Sequence, residues 1–478
     1  MSTLENGLRG ILEARGLAKE LVPALTACLD EFDAHEGKNT IKERYYDGKV
    51  RLSEVNLGLA LPQSFSNLEI GCAWGAKTVD VLASRSMLDS FVDSGGGEAE
   101  AMLEIVRKNR LLAEYQKACR DELKFGCDFI TLSPDKDMGG CRIRFHSARS
   151  AAAKWSGEKG RIAYGFAIIA TETGADGFTR PVHVNFYTDL DTWEISRDGA
   201  GAPWVAERKP HIMGRPLMEP LIYDATTAKP FGRSRIKEPI RRLIEGYVRT
   251  IANATIGLEF ATSPQKYMLG VTDQQFDEIV NDKFKQYVGS IIASTTNPET
   301  GEKPTFGQLQ QGTIEPHVQM LRILATQFSA ATGLTVTDTG VVNDANPTSS
   351  DAILAQSQTL ILMAEQLNAA NGEALATVAR MALAIARGVR LEDLSDDEKG
   401  IIPHFKNPAM PSVAVTADAA TKIASMRQGF ASTDIYLEMV GFSAADIRRI
   451  KAQETRAAGM AVIMEEFAEP ILADEGET

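Results

Sequence analysis

The chain has 478 residues, of which 44% are hydrophobic and 24% charged, an ordinary globular composition that excludes global disorder and predicts about three domains. Lysine and arginine number 51 against 64 acidic residues, a net charge of −13 that argues against coating nucleic acid through bulk charge. No stretch approaches the ~18 apolar residues of a membrane span, and the charged N-terminus has no secretory h-region, so the chain is expected to stay where it is made.

Five cysteines (Cys28, Cys72, Cys119, Cys127, Cys141) form no CxxC pair and read as reduced, buried thiols. The six histidines include no pair at helical metal spacing, and no cofactor or metal is expected.

Residues 1–125 carry helical spacing, through Leu21, Leu25 and Leu29, then from Trp74 to Val92, and again over 98–124. Tyr45-Tyr46-Asp47-Gly48 reads as a loop, and Ser94-Gly95-Gly96-Gly97 as a break. Residues 128–206 switch to short β-branched and aromatic runs around 129–132, 142–145, 162–169 and 182–187, an antiparallel meander. Residues 207–232, with four prolines, read as a loop-rich connector.

A long helix starts near Pro239 and stops before Ser263-Pro264. A small α/β module covers 264–315, with strands at 266–271 and 290–295 and a helix at 273–286. A second helix runs from Pro316 to Gly333. The aperiodic loop 334–347 follows, and Thr348 with Asp351 makes a capping box for a helix of about 39 residues reaching Val389. That helix carries so few charges that burial against neighbours, even other subunits, is expected. A strand at 412–416, helices at 417–429, 432–440 and 443–460, and a solvated acidic tail complete the chain.

Gly71-Cys72-Ala73-Trp74-Gly75-Ala76-Lys77-Thr78 matches a phosphate-binding P-loop except that Ala76 replaces the second glycine, whose methyl would crowd the anion. The favoured reading is a helix N-terminus with Trp74, Val79, Val81 and Leu82 packed inward; an NTPase using Lys77 and Thr78 is the alternative. Between Lys229 and Arg249 seven basic residues face two acidic ones, a local reversal of the chain's charge. It reads either as a solvated helix face, with Glu238 and Arg242 paired at i,i+4, or as phosphate or inter-subunit contact. Asp189 and Asp191 are close in sequence, but nothing makes them an acid–base pair, and the residues make no positive case for an enzyme.

Four stretches resemble the portal proteins of tailed bacteriophages, in the Gp6-like branch: Tyr45-Tyr46-Asp47-Gly48 with the Trp74–Ala83 segment; Gly126-Cys127-Asp128-Phe129-Ile130; Phe231-Gly232-Arg233-Ser234-Arg235-Ile236; and Asn346-Pro347-Thr348-Ser349-Ser350-Asp351-Ala352. Their order over roughly residues 30–450 is more specific than any one of them. The resemblance implies an α+β portal fold: a wing over 1–232, stem helices at 233–262 and 316–333, a clip at 263–315, a tunnel loop at 334–350, a long wing helix at 351–390, and a return strand, helical crown and acidic tail at 391–478. It implies a homo-oligomeric ring, a dodecamer, at one capsid vertex, through which double-stranded DNA passes during packaging and ejection without sequence specificity. Terminase, head–tail adaptor, major capsid and scaffold proteins would be the partners. Lys237, Arg241, Arg242 and Arg249 would stand on the stem. Thr337, Asp338, Asn343, Asp344 and Asn346 would form the tunnel loop, and Tyr267, Asp273, Asp277, Lys283 and Lys285 the clip's docking surface. A monomeric virion-associated protein that forms no ring is the second alternative.

Overall fold

The computed structural model describes residues 5–50, 70–95, 99–174, 176–199, 201–262, 266–269, 301, 303, 305–308, 313–340, 350–409, 413–442 and 444–468. Helix α1 (Val22–Tyr46) continues through the tyrosines expected in a loop, and Asp47 caps it by donating its backbone N–H to the Glu43 carbonyl. Helix α2 (Trp74–Ala83) ends nine residues before Val92. The stretch expected to extend it is instead a strand, β1 (Leu88–Val92). Its partner lies more than 300 residues away, which no local periodicity reveals.

The helical pattern at 98–124 is broken into α3 (Glu100–Lys108) and α4 (Leu111–Phe125). The corner is Arg110, whose φ of 51° is unusual for a residue with a side chain. Asn109 holds the turn, its amide donating to the carbonyls of Met138 and Cys141.

The single expected meander divides into two sheets. β2 (Cys127–Asp135), β3 (Gly140–Ser147) and β9 (Met218–Ile222) form one, in the order β3-β2-β9. β4 (Ala151–Ser156), β5 (Arg161–Thr173), β6 (Thr179–Tyr187), β7 (Asp191–Ser196) and β8 (Val205–Pro210) form the other in sequence order. The supposed connector thus contributes β9 and most of β8. Both are edge strands, where Pro220 and Pro210 remove no needed ladder bond.

Helices α5 (Glu238–Thr262) and α6 (Glu315–Thr332) start at the expected prolines. Between them β10 (Lys266–Leu269) pairs antiparallel with β11 (Thr305–Gln308). The helix expected at 273–286 and the strand at 290–295 lie outside the described residues. Helix α7 (Ser350–Arg387) has 38 residues, about 57 Å, and passes Gly372 as one element. The capping box at Thr348 also lies outside the described residues.

The low charge of α7 has an internal cause. Leu375, Val378, Ala379, Ala382 and Ala384 are buried where the helix crosses the three-stranded sheet and β12 (Ile402–Phe405). Over this half its own chain supplies the cover that neighbouring subunits were expected to give. β12 pairs with β1, Val92 opposite Ile402.

The strand expected at 412–416 is instead the start of helix α8 (Val413–Met426): the β-branched residues lead into an alanine-rich run with high helix propensity. Helices α9 (Asp434–Val440) and α10 (Ala444–Ala468) follow, the last carrying Glu465 and Glu466 past the expected end at 460.

The described residues form two cores. The larger runs from α2 and α4 through the three-stranded sheet to α5, α6 and α7. The smaller packs Leu25, Leu29 and Phe32 of α1 against Phe166, Val184 and Phe186 of the five-stranded sheet. All five cysteine thiols are free and buried, and burial pushes Cys28, Cys127 and Cys141 up to about 12. They are inert hydrophobes rather than nucleophiles.

Candidate functional site

The α5–α6 pair is zipped by one apolar stripe. Ile240, Ile244, Val248 and Ala252, four residues apart, are buried on α5, and Leu324, Ala325 and Phe328 on α6. Gly246 lets the helices approach, since a Cβ there would sit 3.2 Å from Leu324. Past this stripe large apolar side chains turn outward: Leu258, Met320 and Ile323 are 44–52% exposed.

At the proximal end both helices meet α2 and the first turn of the 334–340 segment. Trp74 is buried, lies 4.6 Å from the Phe328 ring and 4.5 Å from the Tyr247 ring, and donates its indole N–H to the Thr339 carbonyl at 3.1 Å. Arg235, 4% exposed, is the second tie. Its guanidinium donates to the Thr78 carbonyl, the Tyr223 hydroxyl (3.0 Å) and the Thr332 carbonyl (2.5 Å). Among the described residues no carboxylate pairs with it. The Thr332 carbonyl lies at the negative end of the α6 dipole, which suits a cation. One arginine thus fastens α2, the end of β9 and the end of α6 immediately before the segment 334–340. The basic run made this cluster visible in the sequence, but nothing distinguished the buried Arg235 from its exposed neighbours.

The four basic residues expected on the stem have mostly intrachain roles. Lys237 pairs with Asp224 at 2.7 Å. Arg242 pairs with Glu238 at 3.3 Å, the i,i+4 pair expected, and with Glu245 at 3.0 Å. Arg241 lies over the Tyr45 ring at 5.8 Å. Arg249 is exposed on α5. Thr337 is exposed, whereas the Asp338 carboxylate accepts from the Thr335 backbone N–H (3.0 Å) and hydroxyl (2.8 Å), which closes the turn. Asn343, Asp344 and Asn346 lie outside the described residues. So do Asp273, Asp277, Lys283 and Lys285; Tyr267 stands in β10 opposite Gly307.

The P-loop-like segment is sealed. A Cβ at Gly75 would fall 2.0 Å from the Tyr45 carbonyl, so the first turn of α2 is pressed onto the end of α1. The Thr78 hydroxyl donates back to the Trp74 carbonyl at 2.8 Å and is buried. Lys77 points to solvent. No open cradle of backbone N–H groups is left for a phosphate. Lys77→Ala should shift stability by less than about 0.5 kcal/mol and leave millimolar ATP unbound as in the parent, measured by calorimetry. Asp189 pairs with Lys159 (2.5 Å) and Asp191 with Arg208 (2.7 Å), so the two carboxylates do not act as a pair.

The geometry is that of a scaffold: two helices with the paired strands β10 and β11 between them in sequence, tied to a sheet by buried contacts, and among the described residues no nucleophile–base arrangement stands at the junction. The family model for phage portal proteins of the SPP1 Gp6-like type matches residues 26–460. The chain belongs to that family of phage portal proteins, which are structural components of the virion. It is 24% identical over 432 residues to the portal protein of Mycobacterium phage L5, covering 87% of this chain and 85% of that one. The portal protein of Mycobacterium phage D29 matches at 24% over 431 residues with the same coverage. Among solved structures, a chain of the virion of a native gene transfer agent particle overlaps with a TM-score of 0.44 at 12% identity, covering 77% of this chain and 89% of that one. A chain of the neck of the empty particle overlaps with a TM-score of 0.41 at 12% identity, covering 82% and 92%. The NTPase alternative finds no support in these relationships.

Proposed function

We propose that the chain closes into a homo-oligomeric ring, a dodecamer, whose axis is the conduit for double-stranded DNA during packaging and ejection. In this reading α5 and α6 form the stem, and residues 263–315 form the clip where terminase and the head–tail adaptor dock. Residues 334–350 form the tunnel loop, α7 crosses the wing, and α8–α10 form the crown. Capsid and scaffold proteins meet the wing, and assembly takes place in the host cytoplasm. Family membership carries the reading. The outward apolar side chains of the distal stem support it, because a heterologous ring covers such faces with the next copy.

The pairing of Lys237 and Arg242 within the chain suits a conduit: cations already neutralised bind passing phosphates weakly and displace few counterions from the DNA, so it slides. Asn343, Asp344 and Asn346, on a segment without lysine or arginine, would gate sterically rather than clamp. The motor, not this chain, would supply the energy.

Sedimentation of the full chain, with negative-stain images of the main peak, tests the ring. A particle of about twelve subunits with a central hole is expected. A monomer that stays a monomer with scaffold and capsid protein added would overturn it.

A further inference from the structure

Near the crossing of α7 and β9, a cavity of about 330 Å³ lies between the loop leading into β9, the second half of α7 and the segment 391–399 that follows that helix. Arg215, Thr377, Arg380, Leu391, Glu392 and Lys399 line it: three cations, a hydroxyl, one carboxylate and a single apolar side chain.

The nearby acids are committed elsewhere. Glu392 pairs with Arg390 at 2.5 Å, and Asp189 is shared by Lys159 (2.5 Å) and Arg161 (3.4 Å). Glu219 holds Arg215 through one terminal nitrogen. Asp396, fully exposed, stands 4.0 Å from Lys399. Arg380 has no carboxylate partner among the described residues. It donates to the Ala376 carbonyl at 3.2 Å and the Thr377 hydroxyl at 3.3 Å, both on its own helix.

This surplus of cations is built into the fold. The side chains of Arg215 and Arg161 are 18% and 23% exposed, and Arg380 is half-buried. Burial is the largest effect opposing the charge on Arg215; Glu219 and Asp189 favour it, and Arg161 and Arg380 oppose it. The single Glu219 carboxylate is favoured by all three guanidiniums. The Arg215 Nε is also buried with no acceptor among the described residues. A buried N–H needs an acceptor, and here the chain supplies none.

A water molecule would accept from that nitrogen but leave the charge unbalanced, whereas an oxyanion answers both. Guanidinium forks match the edges of a tetrahedral oxyanion, and the Lys399 ammonium and Thr377 hydroxyl add donors. With one apolar lining residue, the cavity suits a small ion better than an organic molecule. A recess this small favours a free ion over a phosphate carried on a rigid duplex.

We infer that this cavity binds a free tetrahedral oxyanion of the phosphate class, held by Arg215, Arg380, Lys399 and the Thr377 hydroxyl, and that the bound ion ties α7 to the approach to β9.

Equilibrium dialysis of the full chain against radiolabelled inorganic phosphate, at constant ionic strength set by sodium chloride, tests the site. Saturable binding of one phosphate per chain is expected, weakened about tenfold or more in Arg380→Gln and measurably in Lys399→Gln. Lys399 is exposed, so its variant reads the site even if Arg380→Gln fails to fold. Arg208→Gln, which removes an exposed arginine paired with Asp191, should bind as the parent does. No saturable binding, or binding unchanged in both site variants, would overturn the assignment. Displacement by a short DNA duplex at equal phosphate concentration would overturn the free-ion source. Phosphate should also raise the melting temperature of the parent more than that of Arg380→Gln; an equal rise would overturn the tie.

Discussion

Arg235→Ala should lower the stability of the chain by about 3–5 kcal/mol, read as a shifted urea midpoint. The side chain is 4% exposed and supplies donors to the carbonyls of Thr78 and Thr332 and to the Tyr223 hydroxyl. Alanine leaves two buried carbonyls and a half-buried hydroxyl without this donor and a cavity the size of a guanidinium, and a buried acceptor left unpaired costs about 1–3 kcal/mol before relaxation. Arg235→Lys should recover only part of the loss. An ammonium on a flexible stem cannot span three acceptors that a planar fork reaches together. The damage should be local as well as global. Amide hydrogen exchange over residues 332–340 should accelerate more than over the five-stranded sheet, because Thr332 loses its tie while the smaller core is untouched. Uniform acceleration, or a loss below about 1 kcal/mol, would show that the junction does not depend on this residue.

Glu122→Gln should stabilise the chain by an amount that grows with pH. Glu122 is fully buried between α4 and α7. One carboxylate oxygen accepts from the Asn371 amide at 2.8 Å, and the other has no partner in the structure. Burial pushes it up to about 8, with the Asn371 hydrogen bond opposing the rise, against 4.5 in an exposed chain. Below pH 4.5 both folded and unfolded chains hold the proton and the group is neutral to stability. Between 4.5 and 8 the unfolded chain releases the proton and the folded chain keeps it, so wild-type stability falls as pH rises, by about 1.4 kcal/mol per unit. Above 8 the loss levels off. The amide keeps the acceptor that Asn371 requires and has no proton to lose. The advantage of the variant should therefore climb from near zero at pH 4.5 to about 3–5 kcal/mol at pH 8. Asp128, buried nearby and itself held well above the usual carboxylate range by burial and by Asp121 and Glu122, keeps a residual slope in both proteins. The decisive quantity is thus the difference between variant and wild type; one that stays constant from pH 5 to 8 would show that Glu122 is already ionised in the folded state.

Both residues sit where the helix pair and the long helix meet the sheet, and both act through burial. Arg235 stabilises because its guanidinium donates to neutral groups: the Thr78 and Thr332 carbonyls, the Tyr223 hydroxyl and the Met363 sulfur. Glu122 destabilises at high pH because half of its carboxylate is not matched. A polar residue held at such a cost fixes geometry more than it adds stability: Ser86, Tyr115, Asn371 and Glu122 form one hydrogen-bonded chain that sets the register of α7 against α4.

Composition and local pattern alone determined the sequence of long elements. The prolines at 239 and 316 marked the starts of α5 and α6, the 3.6-residue period carried α7, and the alternating β-branched runs announced the antiparallel sheets. These are properties of consecutive residues, so a linear reading reaches them. The four short motifs, in order, were also enough to point to the portal family.

Tertiary structure decided the rest. Leu88–Val92 is a strand because Ile402–Phe405 lies beside it, and Val413–Thr416 is helical because an alanine-rich run continues it. The proline-rich connector supplies β9 because β2 has an open edge there. The low charge of α7 reflects cover by its own sheet. Of seven similar basic residues between 229 and 249, folding buried Arg235, paired Lys237 and Arg242, and left Lys229 and Arg233 facing a cleft. A sequence shows that a charge is present; only the packing around it sets whether that charge is a tie, a neutralised surface pair or a free contact, because its energy depends on the dielectric and on the partners brought within a few ångströms.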